Sequence, residues 1–269
     1  MKRLSTLLAM FLFVIVAASA QCSSRNTAFK SGETLMYDLY FNWKFVWVKA
    51  GTAYMNITQS TYNGKPAYKT YLITRGSQKA DRFFVMRDTL LSYCDLDLVP
   101  RYFRKGAYEG STYRRNEVWY SYSGGESHVK MRYQRNNNAP SIKKLHSHYC
   151  AFDMISMLLR ARSFDPNDFK VGTRMRFLMA DGNNCDWQAI VYRGKKKFKM
   201  ENSSTTYRCL VFSFMETEKG EEKEVVKFYI TDDKNHLPVR LDLNLNFGTA
   251  KAFLTGASGI RNPQTAKLK

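Results

Sequence analysis

Residues 148–162, with the sequence HYCAFDMISMLLRAR, are the stretch from which the fold is best predicted. Their apolar residues recur at positions 151, 154, 155, 158 and 159, which is the spacing of one side of an α-helix. Arg160 and Arg162 fall in the last turn, where positive charge suits the helix dipole, and Pro166 prevents continuation. Almost every other segment alternates with period two, like a β-strand. The sequence therefore predicts one helix that plugs or bridges two β-rich halves.

The segments on both sides of this helix are predicted to form antiparallel strands. Before the helix they lie near 35–42, 46–57, 68–72, 86–94, 101–109, 112–122 and 127–135, followed by a polar loop at 136–147. After it they lie near 173–180, 185–193, 196–201, 206–217, 223–231, 238–246 and 249–255. The expected fold is all-β, with curved sheets forming a half-barrel or open barrel. This domain is expected to span residues 29–256, between a short polar tail at 21–28 and a frayed tail at 257–269.

Three short matches indicate that the two halves, 29–135 and 169–256, are related. Phe29-Lys30-x-Gly32 matches Phe169-Lys170-x-Gly172, Ala67-Tyr68-Lys69-Thr70 resembles Thr206-Tyr207-Arg208-Cys209, and Pro100 corresponds to Pro238. The offset stays between 138 and 140 residues. Strand–turn–strand units look alike in any β protein, and two copies are few, so a repeat and a coincidence are both open.

The N-terminus has the composition of a secretory signal peptide. Lys2-Arg3 precede an apolar run from Leu7 to Ala18, and Ala18-Ser19-Ala20 is a small-x-small cleavage site. We predict a leader at 1–20 and export to the periplasm or outer envelope. Cys22 raises a lipoprotein alternative, which is disfavoured because Gln21 and Ser19 do not fit the positions that normally precede a lipidated cysteine.

The formal net charge of +19 favours an anionic partner such as phosphorylated lipid, acidic polysaccharide or nucleic acid. Export argues against nucleic acid. The densest basic run, Arg193–Lys199, is interpreted as a solvated hairpin tip, with Lys195, Lys196 and Lys197 as candidate contacts to an anionic membrane surface. Lysines that discourage edge-to-edge strand pairing are the simpler explanation of part of this charge.

Motifs of the common enzyme classes are missing. The sequence has no GxGxxG, Walker loop, HExxH or GxSxG, so nucleotide binding and standard serine hydrolysis are poorly supported. It has five cysteines, an odd number without a CxxC, and no pairing can be assigned among Cys94, Cys150, Cys185 and Cys209.

The residues His146, His148 and Cys150 are the one metal-like group in the sequence, because alternate positions of an extended segment point the same way. A structural zinc site normally needs four ligands, and no second group follows. The histidines are interpreted instead as solvated residues that lead into the helix, and we expect no metal or other cofactor.

A dense group of aromatic residues begins the first strand. Both alternating faces of the strand carry aromatic rings, so the rings cannot all share one core face. They either line a cleft for acyl chains or sugar rings, or belong to a strand that is buried on both sides. The candidate ligand-binding residues are Tyr37, Tyr40, Trp43 and Trp47, together with Asp153 and Arg87.

A series of short motifs resembles one family of exported bacterial proteins, domain of unknown function 3108. In the first half these are Phe29-x-x-Gly32-Glu33-x-Leu35-x-Tyr37, Lys49-Ala50-Gly51, Arg87-Asp88, Ser92-Tyr93 and Leu98-x-Pro100; the helix contributes Asp153-Met154-Ile155-Ser156. In the second half they are Phe169-x-x-Gly172, Tyr229-Ile230-x-Asp232-Asp233, Leu237-Pro238-Val239-Arg240 and Gly248-x-x-Lys251-Ala252. The leader and the aromatic-rich composition look like Bacteroides-type secreted proteins. The resemblance implies an exported, mostly antiparallel β protein and supplies no catalytic residues.

The function expected from these observations is non-catalytic. We expect a binding, carrier or assembly protein that holds an amphipathic or anionic envelope ligand, lipid or glycan, in an aromatic-lined cleft. One alternative is a hydrolase of envelope glycans or lipids that uses carboxylates brought together by the fold. Another is a structural partner that docks through an exposed strand edge.

Overall fold

Consecutive strands pair with each other along the chain as a meander, in which most strands are joined to the next by a short turn. The computed structural model describes residues 22–43, 46–82, 85–201, 203–218, 220–245 and 248–268, so the predicted leader lies outside the described residues. Within them, fifteen strands form one sheet that curves into a nearly closed barrel. The all-β prediction is confirmed.

The strands are β1 (Glu33–Trp43), β2 (Val46–Tyr62), β3 (Lys65–Gly76), β4 (Met86–Asp95), β5 (Pro100–Glu109), β6 (Thr112–Ser123), β7 (Glu126–Arg135), β8 (Ser141–Ser147), β9 (Ala151–Phe152), β10 (Arg174–Ala180), β11 (Cys185–Lys199), β12 (Thr206–Glu218), β13 (Glu221–Thr231), β14 (Pro238–Leu245) and β15 (Gly248–Ser258). Across the sheet the order runs from β8 down to β1 and then from β15 down to β9. The pairing is antiparallel except between β9 and β10. The first and last strands, β1 and β15, are therefore neighbours in the middle of the sheet.

The described residues contain two α-helices, α1 (Gln78–Asp81) and α2 (Met154–Ala161), and a 3₁₀ turn at Pro166–Asp168. Helix α2 lies inside the predicted stretch but begins later than residue 148. Ala151 and Phe152 pair with β10, and the Asp153 side chain then caps the helix by accepting from the backbone N–H groups of Ile155 and Ser156. No helix in the described part of the chain has the length and apolarity that a membrane crossing requires.

Two further boundaries differ from the prediction. The polar segment 136–147 is not all loop, because its residues 141–147 form β8, which pairs with β7 and is one edge strand of the sheet. Its mostly exposed polar residues hide the strand alternation. The segments 185–193 and 196–201 are one strand, β11, interrupted only by a bulge between Tyr192 and Gly194. The basic run 193–199 therefore lies within a strand and not at a hairpin tip.

The strands β1–β6 and β10–β15 have equivalent positions in the two halves. Gly32 before β1 and Gly172 before β10 have φ angles of 90° and 92°. The turns β4–β5 and β13–β14 each contain a residue with positive φ, Leu98 and His236, two residues before the matched Pro100 and Pro238. The short sequence matches thus fall at the same places in two six-stranded runs, while β7–β9 and α2 have no counterpart.

Among the described residues, the two ends of the sheet are connected by side-chain hydrogen bonds and not by backbone pairing. The amide of Asn116 on β6 donates to the carbonyl of Asp181 at 2.9 Å, and Lys143 on β8 donates to the side chain of Asn184 at 2.9 Å. Gly182 lies between them with a φ of 95°, and a Cβ there would come within 2.7 Å of Asn116. Both the backbone angle and the close approach require glycine at this contact.

Helix α2 packs into the core of the protein. Ile155 and Leu159 belong to a hydrophobic cluster that draws residues from both halves of the sheet, while Met157 packs with Phe152 and Phe177 in a second cluster. The predicted role of the helix as a plug or bridge between the two halves agrees with this packing.

A buried ion pair ties the end of this helix to the start of the sheet. Arg162, which follows α2, donates to the two carboxylate oxygens of Glu33 on β1 at 2.5 and 3.0 Å. The same guanidinium donates to the carbonyl of Asn235, in the β13–β14 turn, and lies over the ring of Phe29. The side chains of Arg162 and Glu33 are 1% and 0% exposed. Four separate parts of the chain therefore meet at one guanidinium.

The two terminal segments are packed and not frayed. Cys22 forms a disulfide with Cys150, and Asn26, Ala28 and Phe29 are buried against the sheet. At the other end, Asn262 exchanges hydrogen bonds with Asn235, and Ala266 is fully buried. The predicted tails at 21–28 and 257–269 are corrected accordingly. Their polar side chains satisfy buried backbone groups, which composition alone does not reveal.

We expect Glu33→Gln to lower the free energy of unfolding by about 3–5 kcal/mol, because it leaves the Arg162 charge buried without its carboxylate. Urea denaturation measures this loss. The matched control is Lys49→Gln, which removes an exposed ion pair with Asp38 and should change stability very little. Equal losses in the two variants would contradict the central role of the buried pair.

The double variant Cys22→Ser, Cys150→Ser should lose roughly 2–5 kcal/mol of stability, because the disulfide closes a loop between residues 128 positions apart. Urea denaturation of the oxidised protein and the variant provides the comparison. Cys185→Ser serves as control, since Cys185 is a free, half-buried cysteine. If reduction with dithiothreitol leaves the wild-type midpoint unchanged, the prediction fails.

Candidate ligand-binding groove

An aromatic groove lies where the segment 149–164 meets strands β10 and β11. Its volume is about 290 Å³, near the lower end of small-molecule sites. The lining residues are Tyr149, Cys150, Phe152, Met157, Arg160, Phe164, Met175, Arg176, Phe177 and Trp187. Aromatic rings, methionines and two guanidinium groups thus share one concave surface.

Both walls of the groove contribute apolar side chains, and these contact each other. Trp187 of β11 meets the ring of Tyr149 edge-on, with centroids 5.0 Å apart. Phe152 meets Phe177 of β10 in the same manner at 6.5 Å. Tyr149 remains 59% exposed, so its ring is available to a ligand. Such a surface suits an acyl chain or a flat ring better than a fully hydrated group.

The positive side of the groove comes from Arg160 and Arg176. Arg160 lies over the ring of Phe152 and donates to the carbonyl of Cys22 at 2.7 Å, and its burial lowers the pKa of the guanidinium. Arg176 lies over the ring of Trp187 at 5.2 Å. Neither forms an ion pair with a carboxylate among the residues that the structure describes. The groove therefore has charge-assisted donors for an anion.

The disulfide supports one wall of this groove. Cys150 lines it directly, and its bond to Cys22 brings the N-terminal segment against Arg160. The sulfur of Cys22 is then not free for a lipid thioether, and Cys150 is not free as a metal ligand. The candidate metal set His146, His148 and Cys150 is corrected in this respect.

A second, polar cavity of about 590 Å³ lies beside the N-terminal segment. It is lined by Ser23, Ser24, Arg25, Asn26, Tyr68, Leu96, Asp97 and Arg261. Arg261 donates to the carbonyl of Asn26 there, and Asn26 donates to the Tyr68 hydroxyl. Because these groups bond to one another, the cavity offers fewer available donors than the aromatic groove.

Three of the four aromatic residues predicted to bind a ligand, Tyr37, Tyr40 and Trp47, do not line either of these cavities. Tyr37 is buried in the core, and its hydroxyl donates to the carbonyl of Pro238, while burial raises the pKa of this group. Tyr40 packs edge-on against Phe253. Trp47 lies under the ammonium group of Lys251 at 4.2 Å. Trp43 ends β1, and its side chain lies outside the described residues.

The two polar candidates are also separate from the groove. Asp153 is fully buried as the cap of α2 and accepts from Ser92 at 3.3 Å. Burial raises the pKa of its carboxyl to about 6. Arg87 forms an ion pair with Asp81 on the outside of the sheet. Both have local partners that explain their positions.

Asp88 and Asp153, two carboxyl groups with a raised pKa, do not have the spacing of a glycosidase pair. Burial raises the pKa of Asp88 to about 6, as for Asp153. Asp88 lies four residues from Ser92, the residue that contacts Asp153, and this separation is about 13 Å along a strand. Paired glycosidase carboxyls lie about 5–9.5 Å apart. Asp88 and Asp153 therefore lack the geometry that a shared bond cleavage requires.

The groove residues Arg160, Arg176 and Trp187 were not predicted from the sequence. The two arginines belong to segments that read as an ordinary helix end and an ordinary strand, and Trp187 lies in a strand of alternating residues. Only the parallel pairing of β9 with β10 brings these segments together. The available signal was that an arginine and a tryptophan, Arg176 and Trp187, fall at nearby positions on two strands that pair with each other.

The asparagine variant Asp153→Asn should remove a pH dependence of stability. Since the folded-state pKa is raised from 3.8 to about 6, the folded protein keeps a proton that the unfolded chain has lost, and stability falls as pH rises between these values. Asparagine keeps the helix cap without this ionisation. The variant should gain up to about 3 kcal/mol relative to wild type between pH 4 and pH 7. Urea denaturation at both pH values tests this.

Asp153→Ala is the matched control for the cap itself. At pH 4, Asp153→Ala should be about 1–2 kcal/mol less stable to unfolding than wild type or Asp153→Asn, because both of these keep the side chain that caps the helix. A stability difference between wild type and Asp153→Asn that is the same at both pH values would contradict the assignment.

The fold and its core helix define a β-barrel-like protein. A family model described as a protein of unknown function, DUF3108, matches residues 36–255, and the chain belongs to this family. The resemblance recognised in the sequence is confirmed.

One solved structure has a similar fold at low sequence identity. A β-barrel-like protein of the domain of unknown function DUF1849 from Brucella abortus has a TM-score of 0.55 at 10% identity, covering 87% of this chain and 100% of that chain. A candidate exported protein with a YmcC-like fold from Bacteroides fragilis has a TM-score of 0.37 at 8% identity, covering 87% and 99%. No curated protein matches the chain. At such identities the first similarity concerns the fold alone.

Proposed function

We propose that this protein is a non-catalytic binding or carrier protein of the cell envelope, and that its groove holds an amphipathic anion. The observation that carries the proposal is the combination of an aromatic and methionine surface with two guanidinium groups, Arg160 and Arg176, that form no ion pair among the described residues. An acidic head group would bond to the guanidiniums while an acyl chain lies against Met157, Phe177 and Trp187.

The apolar composition favours a lipid-like ligand over a glycan. Sugar hydroxyls need several hydrogen-bonding side chains, whereas the groove offers mainly rings and thioethers besides its arginines. A volume of about 290 Å³ suits a short acyl segment and not a whole phospholipid. The groove would then hold one end of a larger lipid or a small free acid.

The charge and the disulfide support an envelope location. The Cys22–Cys150 bond fits an oxidising compartment, which the predicted leader also implies. Lys195, Lys196 and Lys197 are all exposed on β11, as a contact with an anionic membrane surface requires. Lys195 also pairs with Asp232, and because successive residues of a strand point to opposite faces, Lys197 shares its face with Lys195 while Lys196 lies on the other.

Calorimetric titration of decanoate into the purified chain tests the groove. Wild type should bind decanoate with one site, and decanol, which has no negative charge, roughly tenfold or more weakly. Arg176→Gln should weaken decanoate binding by roughly tenfold while leaving decanol unchanged. The reason is that only the acid uses the guanidinium.

The matched control is Arg193→Gln. Arg193 lies on β11, which also supplies Trp187, but it does not line the groove and is paired with Glu224. It should leave decanoate affinity unchanged. The proposal fails if wild type does not bind decanoate, or if the two variants have the same affinity. Native mass spectrometry of protein purified from envelopes would then identify any ligand retained elsewhere.

A further inference from the structure

Three of the four histidines in the chain meet at one end of the β7–β8 hairpin. His128 and His146 are directly paired across the strands, and their Nδ1 atoms are 2.9 Å apart. His148 lies two residues further along, and its Nε2 is 3.3 Å from Glu126. The fourth histidine, His236, is far away, against the carbonyl of Arg162.

Strand pairing explains why these side chains converge. Glu126 and His128 are two residues apart on β7, so their side chains share a face of the sheet, and His146 of β8 is paired with His128. His148 follows just after the end of β8, two residues beyond His146. The ligand atoms of Glu126, His128 and His146 all lie within 4.8 Å of one another. In a tetrahedral zinc site the neighbouring ligand atoms are roughly 3.3 Å apart, given zinc–nitrogen distances of about 2.0 Å. Small rotations of these half-exposed and exposed side chains reach that geometry.

The other ring nitrogen of His128 is already held. Its Nε2 lies 2.8 Å from the hydroxyl oxygen of Ser123 and 3.3 Å from the carbonyl oxygen of the same residue. Metal-bound histidines characteristically donate their second ring N–H to such an oxygen, which fixes the tautomer that presents the first nitrogen to the metal. Here that arrangement leaves Nδ1 of His128 facing Nδ1 of His146.

We propose that Glu126, His128 and His146 bind a divalent transition metal, with His148 as the fourth protein ligand. Two or three imidazoles and one carboxylate are the ligand types that zinc prefers among common biological cations, whereas calcium and magnesium need mainly oxygen ligands. The site ties the edge strand β8 to β7. It is separate from the aromatic groove and does not depend on the function proposed for that groove.

Calorimetric titration of Zn²⁺ into the purified chain, after treatment with a chelator, tests this site. We expect binding of one Zn²⁺ per chain in wild type. His128→Asn and His146→Asn should each weaken Zn²⁺ binding by roughly tenfold or more, because each removes one ligand. Replacing Zn²⁺ with Co²⁺ should give the intense visible absorption of a four-coordinate site, and both variants should lose it.

His236→Asn is the matched histidine control. Its φ of 45° suits asparagine, and the substitution should leave Zn²⁺ binding unchanged. Thermal unfolding in the presence of chelator should be the same for wild type, His128→Asn and His146→Asn, since these side chains are not in the core. The proposal is overturned if wild type binds no Zn²⁺, or if His236→Asn weakens binding as much as the hairpin variants. If the substitutions acted only by disturbing the fold, the melting temperatures of the hairpin variants would fall even in the presence of chelator.

Discussion

The buried bond between Arg162 and Glu33 ties the end of helix α2, which no strand ladder holds, to the sheet. A buried guanidinium is stable only when it is paired and hydrogen-bonded, and here two of its N–H groups donate to the Glu33 carboxylate and two to the Asn235 carbonyl. The bond fixes where α2 ends relative to β1 and to the β13–β14 turn. Through Asn235 and Asn262 it also holds the C-terminal segment. The position of α2 in the core follows from this one charged contact together with its apolar side.

The position of the groove follows from the segment that separates the two six-stranded runs. Strands β1–β6 and β10–β15 have equivalent turns, so two matching runs alone would leave similar surfaces on both halves. The segment β7–β9 with α2 is inserted between them and has no counterpart. It brings Tyr149, Phe152 and Arg160 against β10 and β11. The candidate sites thus lie on this inserted segment or against it, near the two edges of the sheet.

Much of the fold could be predicted from the sequence, because it depends on local patterns. Period-two alternation located most strands, and the spacing at 151–159 located the helix, since burial of one side leaves a direct trace in the sequence. Strand β8 was missed because an edge strand with exposed polar residues carries no such trace. The start of α2 was placed too early because Asp153 acts as a cap, and the pairing of Ala151 and Phe152 with β10 depends on tertiary contacts.

The candidate sites were harder to predict because they depend on which strands become neighbours. The aromatic residues of β1 looked available for a ligand, yet Tyr37 serves the core and Tyr40 packs on Phe253. Conversely, His146 and His148 gained their significance only once β8 was paired with β7, which placed His128 and Glu126 beside them.

The hairpin and the groove are also physically connected. Ser127, between Glu126 and His128, donates to the carbonyl of Tyr149 at 2.6 Å, and Tyr149 lines the groove next to the disulfide at Cys150. One short segment, 146–150, therefore carries two histidines, a groove ring and a disulfide sulfur. Because its backbone is anchored at Ser127 and Cys22, any contact that orders the hairpin end also restrains the ring of Tyr149 over the groove.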